Sequence, residues 1–189
     1  MFVGADVHGA TLGILGMGRI GQAIAKRGVH GFGMQLIYHN RSRLDASIEA
    51  GLKARYVSKN ELFAQADHIV LVLPYSKEAH HTVGTAEIAL MKPGATITNI
   101  GRGGLIDEDA LATALAAGKI AGAGLDVFEG EPKVNPKLLA LKNVVLTPHI
   151  GSATRPTRLA MANLAADNLI GYLIDNKPLT PLNPEVLKA

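Results

Sequence analysis

The stretch "TLGILGMGRIGQAIAKRG", residues 11–28, constrains the fold more than any other part of the chain. A short apolar run leads straight into glycines at 16, 18 and 21, and a helical pattern with Ile20, Ala23 and Ile24 on one side follows. A strand, a tight turn and a helix in that order open a βαβ unit, and the glycine spacing is that of a dinucleotide-binding loop. In such a loop Gly16 permits the turn, Gly18 lets backbone approach a pyrophosphate, and Gly21 allows the helix to pack close to its strand. The anion would then sit on the amides and positive dipole end of the helix. An ordinary glycine-rich turn is the competing reading of the motif taken alone.

The rest of the chain repeats the alternation. Strands are expected at Thr11–Leu15, Gln35–His39, Ala54–Val57, His68–Leu73, Ala95–Asn99, Gly122–Asp126 and Val144–Leu146. Runs such as "HIVLVL" are apolar throughout rather than alternating, as parallel strands covered on both faces are. Ser58 and Glu61 form a capping box ahead of "LFAQA", and Asp107 caps "EDALATALAAG", with Gly118 as its stop. A last helix, Arg155–Asp175, carries an apolar stripe through Leu159, Ala162, Leu169 and Ile170, and a proline-punctuated extended tail follows. The expected fold is α/β, a doubly wound, Rossmann-like parallel sheet of about seven strands over residues 1–176, with a tail at 177–189.

Composition narrows the function. Aliphatic residues must fill the core, because there is no tryptophan and only 4% of residues are aromatic. The net charge of +3 is scattered, without the broad basic stripe and stacking aromatics of a nucleic-acid surface. The absence of cysteine removes disulfides and thiolate metal sites, and no apolar run nears the ~18 residues of a membrane span. These features fit a cytoplasmic protein. "HH" at His80–His81 is not expected to bind a metal: neighbours in a regular element point apart, and no third ligand has suitable spacing.

About 20 residues after the glycine loop, a site for NAD offers an acid to the ribose 2′-hydroxyl. Here that place reads "YHNRSR". Asn40 stands where the acid would be, and Arg41, Ser42 and Arg43 supply charge and a hydroxyl for a 2′-phosphate. The expected cofactor is NADP(H), with NAD(H) the open alternative.

Three more side chains follow directly on expected strands: Arg102 in "NIGRGG", Glu131 in "FEGEP" and His149 in "TPHIG". Ligands of open parallel sheets bind beyond the strands' carboxyl ends. Reduction of a ketone by hydride leaves negative charge on oxygen, where a proton donor and a cation are useful.

Together "LGILGMGRIG", "VLPYSKEAHH", "NIGRGGLIDEDAL", "GAGLDVFEGEP" and "TPHIGSAT" resemble the cofactor domain of the D-isomer-specific 2-hydroxyacid dehydrogenases. The glyoxylate/hydroxypyruvate and 2-ketogluconate reductase branch is the nearest in flavour, and the likeness runs over residues 5–176. The resemblance implies that Arg102 binds the 2-oxoacid carboxylate and polarises its ketone. It implies that His149 is the general acid and Glu131 its paired carboxylate. It places Arg19 and Ile20 at the pyrophosphate, Asn40 at the ribose, and Leu73 and Pro74 along the adenosine. Ile100, Asp126, Gly151 and Ser152 fall around the nicotinamide. It implies a homodimer formed through this domain, and a small 2-oxoacid as substrate. In that family a substrate domain normally precedes "GADVHGATLGI", so these residues alone are expected to turn over poorly. Two other readings stay open: a dinucleotide-sensing module of corepressor type, and a different Rossmann enzyme.

Overall fold

A computed structural model describes residues 4–187. They form two compact units, one ending at Pro148 and the other beginning at His149.

The first unit is a seven-stranded, all-parallel sheet. In chain order its elements are β1 (Thr11–Leu15), α1 (Arg19–Phe32), β2 (Gln35–His39), α2 (Ala46–Leu52), β3 (Ala54–Tyr56), α3 (Lys59–Gln65) and β4 (His68–Leu71). Then come α4 (Thr85–Leu90), β5 (Thr96–Asn99), α5 (Glu108–Ala116), β6 (Gly122–Leu125), α6 (Pro136–Leu139) and β7 (Val144–Leu146). The spatial order is β3-β2-β1-β4-β5-β6-β7. β1 pairs β2 on one side (Leu12 opposite Leu36) and β4 on the other (Leu12 opposite His68). The order therefore reverses between β1 and β4, which is where this architecture opens a crevice beyond the strand ends.

The period-2 alternation of strands divides the core between the two faces of the sheet. Leu12 and Ile14 of β1, with Leu36 and Tyr38 of β2, bury beneath α1 with Ala25 and Met17. Leu15 and Ile37 join Leu62 and Phe63 of α3 and the Ile69, Leu71, Ile97 and Leu125 strand residues on the other face. Each such aliphatic side chain, fully buried, contributes about 1.5–3 kcal/mol. The caps read from sequence are present. Glu61 N donates to Ser58 Oγ (3.2 Å) while Ser58 N donates to Glu61 Oε2 (2.8 Å), and Asp107 Oδ1 accepts from the amides of Asp109 and Ala110 (3.0 Å each).

Several strands stop one or two residues earlier than expected, at Tyr56, Leu71 and Leu125. The backbone pairing still runs one residue further: Val57 N donates to Tyr38 O (3.0 Å), Val72 N to Leu15 O (2.9 Å) and Asp126 N to Asn99 O (3.1 Å).

The second unit holds α7 (Arg155–Asp175), capped by Thr154, whose Oγ1 accepts from Thr157 N (3.3 Å). Leu159, Ala162, Leu169 and Ile170 share one side of this helix at 100° per residue, Met161 and Leu164 fall on the opposite side, and none of its residues is buried. The following segment is not simply extended. It folds back along α7, with Lys177 N donating to Gly171 O (2.9 Å) and Thr180 N to Asn168 Oδ1 (2.8 Å), and ends in a 3-10 turn at Pro184–Leu187.

Candidate active site

The glycine loop joins β1 to α1. Gly16 has φ +106°, a left-handed value that a side chain resists, and its N–H donates to His39 O at the end of β2 (3.1 Å). The space over Gly18 is different in kind: a Cβ built there meets nothing within 4 Å. Gly18 is also the N-cap of α1, so that open space lies at the positive end of a 14-residue helix.

Asn40 closes the loop from β2. Its Oδ1 accepts a hydrogen bond from Met17 N at 2.6 Å, and its own carbonyl accepts from the Tyr56 hydroxyl at 3.1 Å. Because an amide N–H needs an acceptor, the oxygen of the carboxamide is the end bound to the loop. Its NH2 end remains a donor, where an aspartate would offer a second charged oxygen.

Arg41 and Ser42 line the cleft beside Asn40. Arg43 does not. Its Nε and Nη2 donate to the two oxygens of Glu49 at 2.9 and 2.7 Å, and Tyr38 Oη donates to Glu49 Oε1 at 2.6 Å. The reason is local: the buried carboxylate of Glu49 in α2 needs charge-assisted partners. The Arg43 fork, and then the Tyr38 hydroxyl, hold the Glu49 carboxyl down to about 2. A depressed carboxyl stabilises the fold above its ordinary pKa of 4.5 and loses that contribution as pH falls toward 2. Thermal unfolding should therefore separate the wild type from E49Q at pH 6, with the gap closing between pH ~4.5 and ~2. A gap independent of pH would refute the assignment.

Two clefts share the wall made by Leu73 and Pro74 beyond β4. One, of about 660 Å³, is lined by Asn40, Arg41, Ser42, Lys59 and Thr82. The other, of about 860 Å³, is lined by Gly18, Arg19, Ile20, Ile100 and Arg102. They flank the β1–β4 reversal, one on each side of the Leu73–Pro74 wall.

The loop after β5 is held by Asn99, whose side chain is buried. Asn99 Nδ2 donates to Arg102 O (2.8 Å) and its Oδ1 accepts from Gly101 N (3.0 Å), while Arg102 Nη1 donates to Gly101 O (2.7 Å). Next in the chain, Gly103 lies directly against the loop after β6. A Cβ there would stand 1.8 Å from Phe128 C and 2.2 Å from Glu129 N. That backbone contact sets the spacing between the Arg102 loop and the loop bearing Glu131, whose Oε1 accepts from Phe128 N (3.0 Å). Asp126 accepts from Thr147 Oγ1 (2.6 Å), tying the ends of β6 and β7. In the second unit, His149 is exposed with φ +54°, in a turn that also contains Gly151 and Ser152, and Ser152 O accepts from Arg158 Nε (3.3 Å).

The profile of the D-isomer specific 2-hydroxyacid dehydrogenase, NAD binding domain, matches residues 1–151. The chain belongs to this family. It is 50% identical over 189 residues to a glyoxylate reductase of Thermococcus gammatolerans, covering all of this chain and 56% of that protein. Among solved structures, a glyoxylate reductase from Paecilomyes thermophila superposes with a TM-score of 0.89 at 45% identity, over 97% of this chain and 55% of that one. An NADPH-dependent glyoxylate/hydroxypyruvate reductase from Sinorhizobium meliloti, in complex with NADP and malonate, superposes with a TM-score of 0.85 at 39% identity, over 92% of this chain and 53% of that one. The chain thus spans about half the length of the curated relatives it matches.

One expectation needs correcting. His80 and His81 do not point apart: their rings stack at 3.8 Å with 23° between planes. His81 has φ +49°, outside any regular element, so the strand or helix rule for neighbours does not apply. A third group, Glu129, reaches them from far along the chain. Sequence reasoning also passed over Asn99 and Gly103. An amide ending a strand ("ATITN") just ahead of Arg102 was a legible sign of the first, and the second left no local sign. Among the described residues, no helix is long and apolar enough to cross a membrane.

Proposed function

We propose that this chain carries the NADP(H) site and reacting side chains of a reductase that converts small 2-oxoacids, of the glyoxylate, hydroxypyruvate or 2-ketogluconate type, to D-2-hydroxyacids. Family membership and the glyoxylate reductase relatives support the reaction class. The observation that carries the cofactor preference is the Asn40 carboxamide, bonded to Met17 N through its oxygen and retaining a donor end. A neutral donor beside Arg41 and Ser42 suits a 2′-phosphate, which a carboxylate at that position would repel. The open space over Gly18 at the N-terminus of α1 fits a pyrophosphate.

When bound, the reduced nicotinamide supplies the hydride. In this reading Arg102 pairs with the substrate carboxylate and draws electron density from the ketone oxygen. His149 would deliver the proton that the oxygen requires, and Glu131 is the carboxylate that the family resemblance pairs with it. On the family resemblance Arg19 and Ile20 would hold the pyrophosphate, Leu73 and Pro74 the adenosine, and Ile100, Asp126, Gly151 and Ser152 would serve the nicotinamide. The protein works as a cytoplasmic homodimer joined through this domain.

Fluorescence titration with the two reduced cofactors tests the preference. NADPH is expected to bind about tenfold tighter than NADH or better, a difference of ~1.4 kcal/mol. N40D should narrow or reverse that ratio. Equal affinities in the wild type would refute the reading.

A further inference from the structure

We propose that His80, His81 and Glu129 form a binding site for a first-row divalent cation of the zinc type. His81 Nε2 lies 2.8 Å from Glu129 Oε2, and His80 Nε2 lies 3.8 Å from Glu129 Oε1. One ligand atom from each of the three residues falls within 4.8 Å of the others. Ligands about 2.0–2.2 Å from a shared tetrahedral ion stand roughly 3.3–3.6 Å apart, so seating a cation takes changes in separation of up to about 1.5 Å. Two imidazoles with one carboxylate suit Zn2+, Co2+, Ni2+ or Cu2+, whereas Mg2+ and Ca2+ favour all-oxygen shells. Three protein ligands leave the fourth position to water.

The scaffold behind these ligands is already ordered. His81 N donates to Gly104 O at 2.8 Å, which fixes the left-handed residue on the turn after β5. Glu129 N donates to Glu108 Oε1 at 2.7 Å, which fixes the other side. Tyr75 Oη lies 3.2 Å from His80 Nδ1. With the ring proton on Nδ1 donating to that oxygen, the His80 Nε2 lone pair is free for a metal, the usual way an outer partner sets a ligand's tautomer. Binding replaces the His81–Glu129 hydrogen bond with two metal bonds, and the displaced ring proton moves to His81 Nδ1 or to solvent. The ion would clamp the loop carrying His80 and His81 to the loop that runs on to Glu131.

The test uses the metal alone. The 189-residue protein, stripped with chelator, is titrated with Zn2+ in competition with a chromophoric indicator, and its thermal midpoint is followed in parallel. One saturable equivalent with a rising midpoint is expected, and Co2+ should give the visible absorption of a low-symmetry, nitrogen-ligated ion. E129Q and H81N should each weaken binding by about tenfold or more. Asparagine is used because it tolerates the left-handed backbone at that position. If H81N fails to fold, H80Q removes a ligand without touching that residue and should show the same loss. No saturable uptake overturns the proposal. So does uptake unchanged by these substitutions, since the ion would then be held by others of the seven histidines.

Discussion

Replacing Gly103 with alanine is expected to cost this protein most of its stability, by about 3 kcal/mol or more. The added Cβ would fall 1.8 and 2.1 Å from the carbonyl carbon and oxygen of Phe128 and 2.2 Å from Glu129 N, all backbone atoms. Neither chain can step aside cheaply. The Gly103 side is bonded through Leu105 N to Arg102 O and through Ile106 N to Gly103 O, and the other side through Glu129 N to Glu108. Gly104→Ala is the control. The atoms nearest its Cβ are ring atoms of Tyr75 (2.8 Å) and His80 (3.3 Å), on side chains that can shift where backbone cannot. Urea unfolding of the two variants should show a large loss for G103A and a small one for G104A. A G103A midpoint near that of the wild type would mean the two loops are not in contact as described.

The second large effect separates a binding glycine from a packing glycine. Gly18→Asp should fold at least as well as the wild type, because aspartate is a strong N-cap and the Gly18 backbone (φ −74°, ψ −163°) suits that role. The same change should weaken NADPH binding by about a hundredfold, ~2.7 kcal/mol, by setting a carboxylate where the pyrophosphate is expected. Gly21→Ala should do the reverse. Its Cβ would stand 2.4 Å from Gly16 O, so helix and loop must separate, at a cost of about 1–3 kcal/mol in stability. Thermal melts paired with NADPH titrations distinguish the cases. If G18D binds NADPH normally, the pyrophosphate does not lie over Gly18.

The strands were legible because a parallel strand buried on both faces must be apolar along its length, and "TLGIL" and "HIVLVL" are. Helix starts were legible at Ser58, Asp107 and Thr154's neighbour Arg155, where short-range hydrogen bonds leave a fixed sequence pattern. Asn40 was found by its spacing from the glycine loop, though not its bond to Met17. Arg43 was assigned to a phosphate from its position in "NRSR", but a buried acid in the next helix binds its guanidinium. The apolar stripe of α7 through Leu159, Ala162, Leu169 and Ile170 was legible from the helical period alone.

Local rules, operating over three to four residues in helices and two in strands, were enough to determine the order of elements, the parallel sheet and the strand ends from which Arg102, Glu131 and His149 follow. Tertiary structure alone decided which of those ends touch. The approach of Gly103 to Phe128, the pairing of Arg43 with Glu49 and the stacking of His80 on His81 beside Glu129 all depend on where chains meet in space. Such contacts join residues distant in sequence or break a local backbone rule, as His81 does at φ +49°. No pattern of neighbours along the chain encodes them.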